Sequence, residues 1–386
     1  MKLTDVKDTL TEEEIRRGLN AVIKDGLTTQ TMTTLTGGIF LVAFALQLGA
    51  SNLMIGLLSA LPPLAQLIQI PGVYLVEKYR ARRAISVYAS ALNRSLWLLV
   101  AAIPLLFSGS TGIIVLVGAV FLNAALGSIG GCSWNSWMRD LIPQDRLGAF
   151  FSKRMFQATC LGIVVSWTAG MFIDHGGFLF PENAVYCYSI LFVIGFIVGM
   201  VGLYYLSIIP EPRMETYMKD PSFYRLLLQP FADSNFRQLI RFMGSWNFAI
   251  NLASPFFTVY MIQILHLPMS AIVALSILSQ MTNVAFLQIW GRFSDRFSNK
   301  SVLQVCGPLF LICIFAWTFT TMPDAHILTM PLLVAIHAFM GVSTAGVTLA
   351  SGNIGLKLAP RGQATSYLAG NSLVNSKTDN KSRDGR

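Results

Sequence analysis

Long apolar segments recur along this chain and leave few folds open to it. Runs of about 20 apolar residues alternate with short polar stretches between residues 29 and 355, and a helix needs about that length to cross a hydrocarbon core of about 30 Å. Charged residues make up only 12% of the chain, whereas soluble domains carry roughly 25%. The sequence therefore predicts an all-α polytopic membrane protein and excludes a soluble one.

Ten full transmembrane helices follow from the ends of the apolar runs. The predicted spans are 29–48, 52–76, 85–107, 111–138, 155–173, 185–209, 238–264, 269–290, 301–321 and 327–355. Residues 1–28 form a polar N-terminal segment without the short basic start and cleavage site of a secretory signal. A charged central loop, 210–236, separates the sixth span from the seventh.

The basic residues fall on one set of the predicted loops. The alternate loops contain no Lys or Arg; they lie around 49–51, 108–110, 174–184, 265–268 and 322–326. Because loops rich in Lys and Arg stay in the cytoplasm, the N-terminus is predicted to be cytoplasmic in a multi-pass protein of the bacterial inner membrane. The net charge of +9 is thus a topology signal and does not indicate a nucleic-acid partner.

The chain matches itself weakly at an offset of about 217 residues. MRDLIPQDRLGAFFS at 138–152 aligns with IGLKLAPRGQATSYLA at 354–369, and VEKYRARRA at 76–84 aligns with SDRFSNKSV at 294–302. Parallel repeats of this kind are typical of transporter folds. We therefore expect a six-helix bundle over 29–209 and a second bundle over 237–374.

One loop motif gives the chain a family resemblance. GRFSDRFSNK, between predicted helices 8 and 9, matches the motif G-x-x-x-D-R-x-x-x-[KR] of the major facilitator superfamily at Gly291, Asp295, Arg296 and Lys300. The copy between helices 2 and 3 has lost its glycine but retains charges at Glu77, Lys78 and Arg82. The resemblance implies a fold of two six-helix pseudo-repeats that transports a solute by alternating access.

The charged motif positions have two interpretations. The family resemblance implies that they hold helix ends together on the cytoplasmic side in one conformation and separate in another; Asp140, at the end of helix 4, is the natural partner of Lys78 or Arg82. Gly291 would let a neighbouring helix approach closely, and Asp295 would accept hydrogen bonds at a helix N-terminus. Alternatively, these charges only set the topology.

Polar side chains within the predicted spans are candidates for a solute site, because burying them in a membrane is costly. The resemblance implies that helices 1, 4, 7 and 10 line a central cavity, flanked by helices 2, 5, 8 and 11. The substrate-binding candidates on these helices are Thr34, Gln66, Asn123, Asn247, Asn251, Gln280 and His337. Amide hydrogen bonds between helices, worth about 0.6–2 kcal/mol each, are the alternative role for these side chains.

Few groups in the spans could couple transport to protons. His337 titrates nearest to neutral pH and is either a proton relay or a neutral core histidine. The predicted spans contain no Asp or Glu, although the family's proton-coupled members usually carry a carboxylate there; protons therefore stay one candidate coupling ion. Arg94 in helix 3 is expected to extend toward the cytoplasm rather than to bind solute.

The sequence lacks the motifs of metal-binding, nucleotide-binding and enzymatic proteins. The sequence contains no metal-ligand spacing, no phosphate-binding loop and no nucleophile elbow, so we expect no metal, no cofactor and no enzymatic activity. Residues 375–386, NSKTDNKSRDGR, are wholly polar and interrupt what should be helix 11. The second repeat is therefore expected to be incomplete; an interrupted reading frame or a natural ten-helix protein would both give this pattern.

The sequence thus predicts a secondary active transporter or facilitator, monomeric in the lipid bilayer, for a small, polar, uncharged organic solute. A drug or lipid exporter of the same fold is one rival, and it would line its cavity with Phe, Met and Trp. A non-transporting protein, either sensor-like or inactive, is the other rival and would retain the fold without moving a solute.

Overall fold

The computed structural model describes residues 6–143, 147–180, 183–214, 234–321 and 324–358, and the described residues contain twelve α-helices. The predicted tail and most of the predicted central loop lie outside these ranges. The chain divides into two compact units, Met1–Met218 with Asn251–Tyr260, and Lys219–Ile250 with Met261–Arg386.

The first unit contains eight described helices along the chain before residue 214. They are α1 (Glu12–Thr36), α2 (Gly38–Gln47), α3 (Asn52–Ala65), α4 (Gln69–Tyr79), α5 (Arg82–Leu106), α6 (Gly109–Leu141), α7 (Leu147–Leu179) and α8 (Val185–Ile208). A short 3₁₀ turn, Gln66–Ile68, joins α3 to α4. Helix α9 (Ser234–Gln263) contributes residues to both units, and the second unit continues with α10 (Met269–Arg296), α11 (Asn299–Ala316) and α12 (Thr329–Leu358).

The helices have the length and composition of membrane spans. Within the described residues, eight helical stretches are long and apolar enough to cross a membrane, and the first of them runs over Glu12–Gln47. Large apolar side chains on these stretches are exposed, which suits contact with lipid tails. Examples between 63% and 70% exposed are Leu105, Ile114, Phe156, Leu311 and Ile312. The predicted all-α membrane architecture is confirmed.

Helix α1 begins at Glu12, so the predicted start at residue 29 is wrong. Thr11 and Glu14 form a capping box, in which the Thr11 hydroxyl accepts from the Glu14 N–H at 3.3 Å and the Glu14 carboxylate accepts from the Thr11 N–H at 3.1 Å. This pair satisfies N–H groups that would otherwise lack acceptors at the helix start. The polar segment before the apolar run is therefore helical.

Helix α8 lies close against α1 because glycines face the contact. A Cβ atom added at Gly195 would lie 2.6 Å from the Thr36 methyl carbon, and one added at Gly202 would lie 2.4 Å from the Thr28 hydroxyl oxygen. Small residues of this kind let transmembrane helices approach closely. The resulting contact fixes the position of α1 within the first unit.

In the second unit, α12 packs against both α10 and α11. The Trp290 indole N–H on α10 donates to the carbonyl oxygen of Val342 on α12 at 2.9 Å. Next to it, a Cβ added at Gly341 would lie 2.2 Å from the Ser279 carbonyl oxygen. The crossing of α10 and α12 therefore leaves no room for a side chain at Gly341.

Replacing Gly341 with alanine is expected to destabilise the protein by about 1–3 kcal/mol, because the added methyl group displaces the backbone of α10. The matched control is Gly307→Ala in α11, where an added Cβ meets no atom of the described residues within 4 Å. Thermal unfolding in detergent, followed by tryptophan fluorescence, measures both variants. Equal midpoints for the two variants would contradict the close crossing.

Candidate functional site

A buried ion pair joins α1 to α5 in the first unit. Arg94 Nη2 lies 3.1 Å from Asp25 Oδ1, and the two side chains are 5% and 6% exposed. The Arg94 guanidinium also donates to the carbonyl oxygen of Gly199 on α8 and, at 3.1 Å, to the hydroxyl of Thr29. Since a buried charge is costly without a partner, these contacts keep three helices in register.

This pair corrects one expectation from the sequence and adds a residue that the sequence analysis missed. Arg94 does not extend toward water, because its guanidinium is buried and a carboxylate neutralises it. Asp25 lies on α1 ahead of the predicted span 29–48, on the helical stretch Glu12–Gln47. Asp25 was missed because the predicted helix began too late; the T-x-x-E pattern at residues 11–14 is the signal that could have found it.

A second arginine approaches the same carboxylate from α7. The Arg154 guanidinium packs on Gly26, where an added Cβ would lie 2.4 Å from its Nε atom, and it donates to the Val22 carbonyl oxygen at 3.4 Å. It also lies over the Trp134 ring, 5.1 Å from the centroid, in a favourable cation–π contact. Arg154 is near enough for its charge to act on Asp25.

A cavity of about 310 Å³ lies between α1, α5 and α6, with Arg94 in its wall. Its size is at the small end of the range for ligand pockets, about 300–1,000 Å³. Two larger apolar side chains, Met32 and Trp97, contribute to its wall. The polar lining residues are more numerous: Thr29, Thr33, Thr36, Ser90, Asn93, Arg94 and Asn123.

Two asparagines of this lining tie α5 to α6. The Asn93 side-chain amide donates to the Asn123 carbonyl oxygen at 2.5 Å, and the Asn123 amide donates to the Asn93 carbonyl oxygen at 2.9 Å. Asn123 is one of the predicted site residues, and the structure places it in the cavity wall. Asn123 therefore forms an interhelical hydrogen bond and also lines a cavity, which are the two roles that the sequence left open for it.

Other predicted site residues lie elsewhere. Thr34 accepts from Gln30 at 3.2 Å and faces Gly162 of α7 rather than the cavity. Gln66, in the 3₁₀ turn, accepts from the side-chain amide of Gln69 at the start of α4. In the second unit, Gln280 is exposed on α10. Solute binding by these three residues stays a prediction.

His337 is buried on α12. Its Nδ1 atom lies 2.8 Å from the Leu333 carbonyl oxygen, and its ring meets the Trp317 ring edge to face with centroids 5.6 Å apart. This setting suits a hydrogen-bonded core histidine, and a proton-relay role stays a prediction. The remaining candidates, Asn247 and Asn251, have side chains outside the described part of the structure.

An ionic cluster lies where α6 and α8 end and α5 begins. Arg82 is fully buried and forms ion pairs with Asp140 and, at 3.5 Å, with Glu211. Glu211 is 1% exposed and also accepts from the backbone N–H groups of Arg82 and Arg83 at 2.7 and 3.1 Å. The expected contact between Arg82 and Asp140 is therefore present, whereas Glu211, in the sequence PEPR after α8, was missed.

The other charges of this motif copy do not join the cluster. The Lys78 ammonium is exposed and lies over the rings of Tyr74 and Tyr79, 5.7 and 5.5 Å from their centroids. The side chain of Glu77 lies outside the described residues. Arg82 is thus the motif position that connects helices here.

The second motif copy differs from expectation within the described residues. An added Cβ at Gly291 meets none of their atoms within 4 Å, so the glycine is not needed for a close approach to another described helix. The next helix, α11, is capped by Ser298, whose hydroxyl accepts from the Ser301 N–H at 3.0 Å. The predicted role of Asp295 at a helix N-terminus stays a prediction. Three motif charges are exposed and form no ion pair with another described residue: Asp295, Arg296 and Lys300.

Neutral groups connect the helices at this motif. Asn299, at the start of α11, is buried and accepts from the Ser294 hydroxyl of α10 and from the Asn353 amide of α12, the latter at 3.2 Å. A charged network in the first unit thus corresponds to a hydroxyl–amide network in the second. Among the described residues, no three His, Cys, Asp or Glu side chains are grouped so as to hold a metal ion.

Comparisons with known proteins identify a family and a fold. The sequence model of the Major Facilitator Superfamily matches residues 26–376. No curated protein matches the chain significantly.

Solved structures of transporters resemble the fold closely. A mutant of the nucleoside transporter NupG is 12% identical with a TM-score of 0.71 over 93% of this chain and 88% of that one. A D-xylose–proton symporter is 14% identical with a TM-score of 0.66 over 94% and 88%. A bacterial homologue of the human lysosomal transporter Spinster is 17% identical with a TM-score of 0.65 over 95% and 81%. At these identities the likeness shows the fold alone.

Removing the Glu211 carboxylate with alanine is expected to lower the free energy of unfolding by about 3–5 kcal/mol, because two buried backbone N–H groups lose their acceptor and buried Arg82 loses one of its two carboxylate partners. Asp8→Ala is the control, since Asp8 pairs with Arg213 at 2.7 Å while both side chains are more than 70% exposed, and exposed pairs contribute little. Chemical unfolding in detergent gives the two values, and a loss in Glu211→Ala no larger than in Asp8→Ala would refute the buried cluster.

Proposed function

This chain belongs to the Major Facilitator Superfamily, and we propose that it is a secondary active transporter that moves a small polar organic solute across the cytoplasmic membrane by alternating access. One observation carries the proposal: a cavity lined by hydroxyl and amide groups lies against a buried ion pair in the first unit. Intramembrane charges and polar groups are retained where they serve a solute or ion pathway. The family and fold are those of transporters rather than enzymes.

The solute site of this proposal is the cavity of the first unit. Thr33 and Asn123 supply polar atoms from α1 and α6, and Arg94 supplies a guanidinium from α5. A drug or lipid exporter would instead present mainly aromatic and aliphatic side chains. The hydroxyl, amide and guanidinium groups in this wall are the observation that supports a polar solute.

Asp25 is the residue proposed to carry the coupling proton. It faces two charged groups, Arg94 from α5 and Arg154 from α7, while Thr29 of its own helix donates to it at 3.3 Å. Protonation of Asp25 would remove the charge that pairs with Arg94, and Arg94 lines the cavity. Since linkage is reciprocal, a solute that engages Arg94 would change the affinity of Asp25 for a proton.

The ionic cluster around Arg82 is proposed to keep the first unit rigid while it moves. It connects the start of α5 to the ends of α6 and α8 through buried groups. Alternating access in such folds is largely a movement of one bundle as a rigid body. For the second motif copy, the described contacts support a structural link through Asn299 rather than through Asp295.

Proteoliposomes with an imposed pH gradient test the coupling. The first probes are D-xylose and uridine, chosen because a xylose symporter and a nucleoside transporter share the fold. Asp25→Asn is expected to abolish gradient-driven accumulation, at least a tenfold loss, because an amide cannot carry the proton across. Counterflow without a gradient is expected to persist, which also shows that the variant is folded.

Glu13→Gln is the matched control for this experiment, since Glu13 lies on the same helix and its ion pair with Arg17 is exposed. Accumulation by Asp25→Asn at the level of the unchanged protein would reject Asp25 as the proton carrier. Wild-type vesicles without counterflow for any solute would reject transport and favour a non-transporting membrane protein.

A further inference from the structure

We propose that residues 6–11 form a detachable strap that shields the ionic cluster around Arg82 from water and controls how often that cluster opens. The strap precedes α1 and lies against the segment that follows α8, so it is a conformational device at one end of the first unit. Two observations carry the proposal: the strap pairs with the backbone of Glu211, and an apolar side chain anchors it to the helices.

The segment that follows α8 is suited to pairing with an extended neighbour. Pro210 and Pro212 lack N–H groups and disfavour helical geometry in the residues before them; Ile209 accordingly has a φ of −67° and a ψ of 128°. The Pro210 carbonyl oxygen accepts from the Trp137 indole at 2.9 Å, and the Pro212 carbonyl oxygen accepts from the Arg82 guanidinium at 2.7 Å. The carbonyl oxygen between these two, on residue 211, faces a different partner.

That partner is the strap. The Lys7 N–H donates to the Glu211 carbonyl oxygen at 3.0 Å, and the Arg213 N–H donates to the Lys7 carbonyl oxygen at 2.9 Å. The two bonds make a parallel bridge between Lys7 and Pro212. Glu211 is therefore held twice, since its backbone bonds to the strap while its carboxylate bonds to the start of α5.

Side chains fix the strap at both of its ends. Leu10 packs against the buried apolar cluster to which α1, α5, α6 and α8 contribute. Asp8 pairs with Arg213 at 2.7 Å, and Lys7 pairs with Glu14. Three of these four charged side chains are more than 40% exposed, and exposed pairs contribute little. The backbone bridge and Leu10 are thus the main attachments of the strap.

Closure of the strap explains how the cluster stays dry. Glu211 is 1% exposed and Arg82 is fully buried, and opposite charges attract each other more strongly away from water than in it. Release of Lys7 frees the Glu211 carbonyl oxygen and gives water a path to the carboxylate of the same residue. Because the cluster connects the start of α5 to the ends of α6 and α8, the strap controls how readily these helix ends separate.

The strap opens without unwinding a helix. Helix α8 ends at Ile208 and α1 begins at Glu12, so both backbone bonds of the bridge lie outside helices. Short segments outside the packed helices open at a lower free energy than the whole domain. Opening of the strap is therefore a local event in a first unit that stays folded.

Hydrogen exchange of the Arg82 and Arg83 amides in the detergent-solubilised full chain tests the strap. The first N–H groups of a helix have no acceptor within the helix, so the Glu211 carboxylate protects these two amides. Lys7→Pro removes the N–H that donates to Glu211, while the ring suits an extended segment. Exchange of both amides is expected to be about tenfold faster in Lys7→Pro than in Lys7→Ala, because the strap is open more often.

Lys7→Ala is the matched control, because it loses the ion pair with Glu14 and retains both backbone bonds of the bridge. Amides at the centre of α5 are expected to exchange equally in the two variants, since opening is local. Equal exchange of the Arg82 and Arg83 amides in Lys7→Pro and Lys7→Ala would overturn the proposal. Faster exchange along the whole of α5 in Lys7→Pro would overturn it as well, because the strap would then not open separately.

Leu10→Asn tests the apolar anchor with the same readout. The substitution is expected to accelerate exchange of the Arg82 and Arg83 amides about threefold, because a polar side chain detaches the strap from the apolar cluster. Val6→Asn is the control, since Val6 is on the strap and exposed. Equal exchange in Leu10→Asn and Val6→Asn would overturn the anchor. The measurement uses no solute, so its result is independent of the proposed transport function.

Discussion

The buried pair of Asp25 and Arg94 is the contact on which the arrangement of the first unit depends. Either charge alone would be costly to bury. Helices α1 and α5 must therefore pack so that Asp25 and Arg94 are in contact. Arg94 also needs the carbonyl oxygen of Gly199, and a Cβ added at Gly202 would lie 2.8 Å from its Nη1 atom. The glycines of α8 are thus required by the arginine as well as by the helix contact.

The two units connect their helix ends at the loop motifs with different chemical groups. In the first, Arg82, Asp140 and Glu211 connect helix ends through buried charges. In the second, Asn299 accepts from a serine and an asparagine at the corresponding motif. Ionic contacts are strong only when every charge is partnered, whereas a neutral network tolerates incomplete pairing better, so the first unit is the one more sensitive to single charge losses.

Hydropathy predicted the membrane class and most helix positions, because apolar runs are local features of the sequence. The charged loop motif predicted that Asp140 pairs with Lys78 or Arg82, and the structure shows the pair with Arg82. Hydropathy failed for Asp25 and Glu211, because charged residues beside an apolar run look like loop residues until the helix start or the chain path is known. The sequence analysis named Thr34 on α1, whereas its neighbour Thr33 lines the cavity. Neighbouring residues on a helix differ by about 100° in direction, and the sequence does not show which face meets the cavity. Gly291 and Asp295 were assigned from the motif alone. A Cβ added at Gly291 meets no described atom within 4 Å, and the role of Asp295 stays a prediction.

The break between α1 and α2 limits how far disorder can spread along the first span. The helix is interrupted at Gly37, and Gly38 has a φ of +52°, so the ladder of hydrogen bonds is not continuous from Gln47 back to Glu12. Helical order is cooperative along an unbroken ladder. Fraying that began at the Gln47 end would therefore stop at this break, and the segment that carries Asp25 would keep its register.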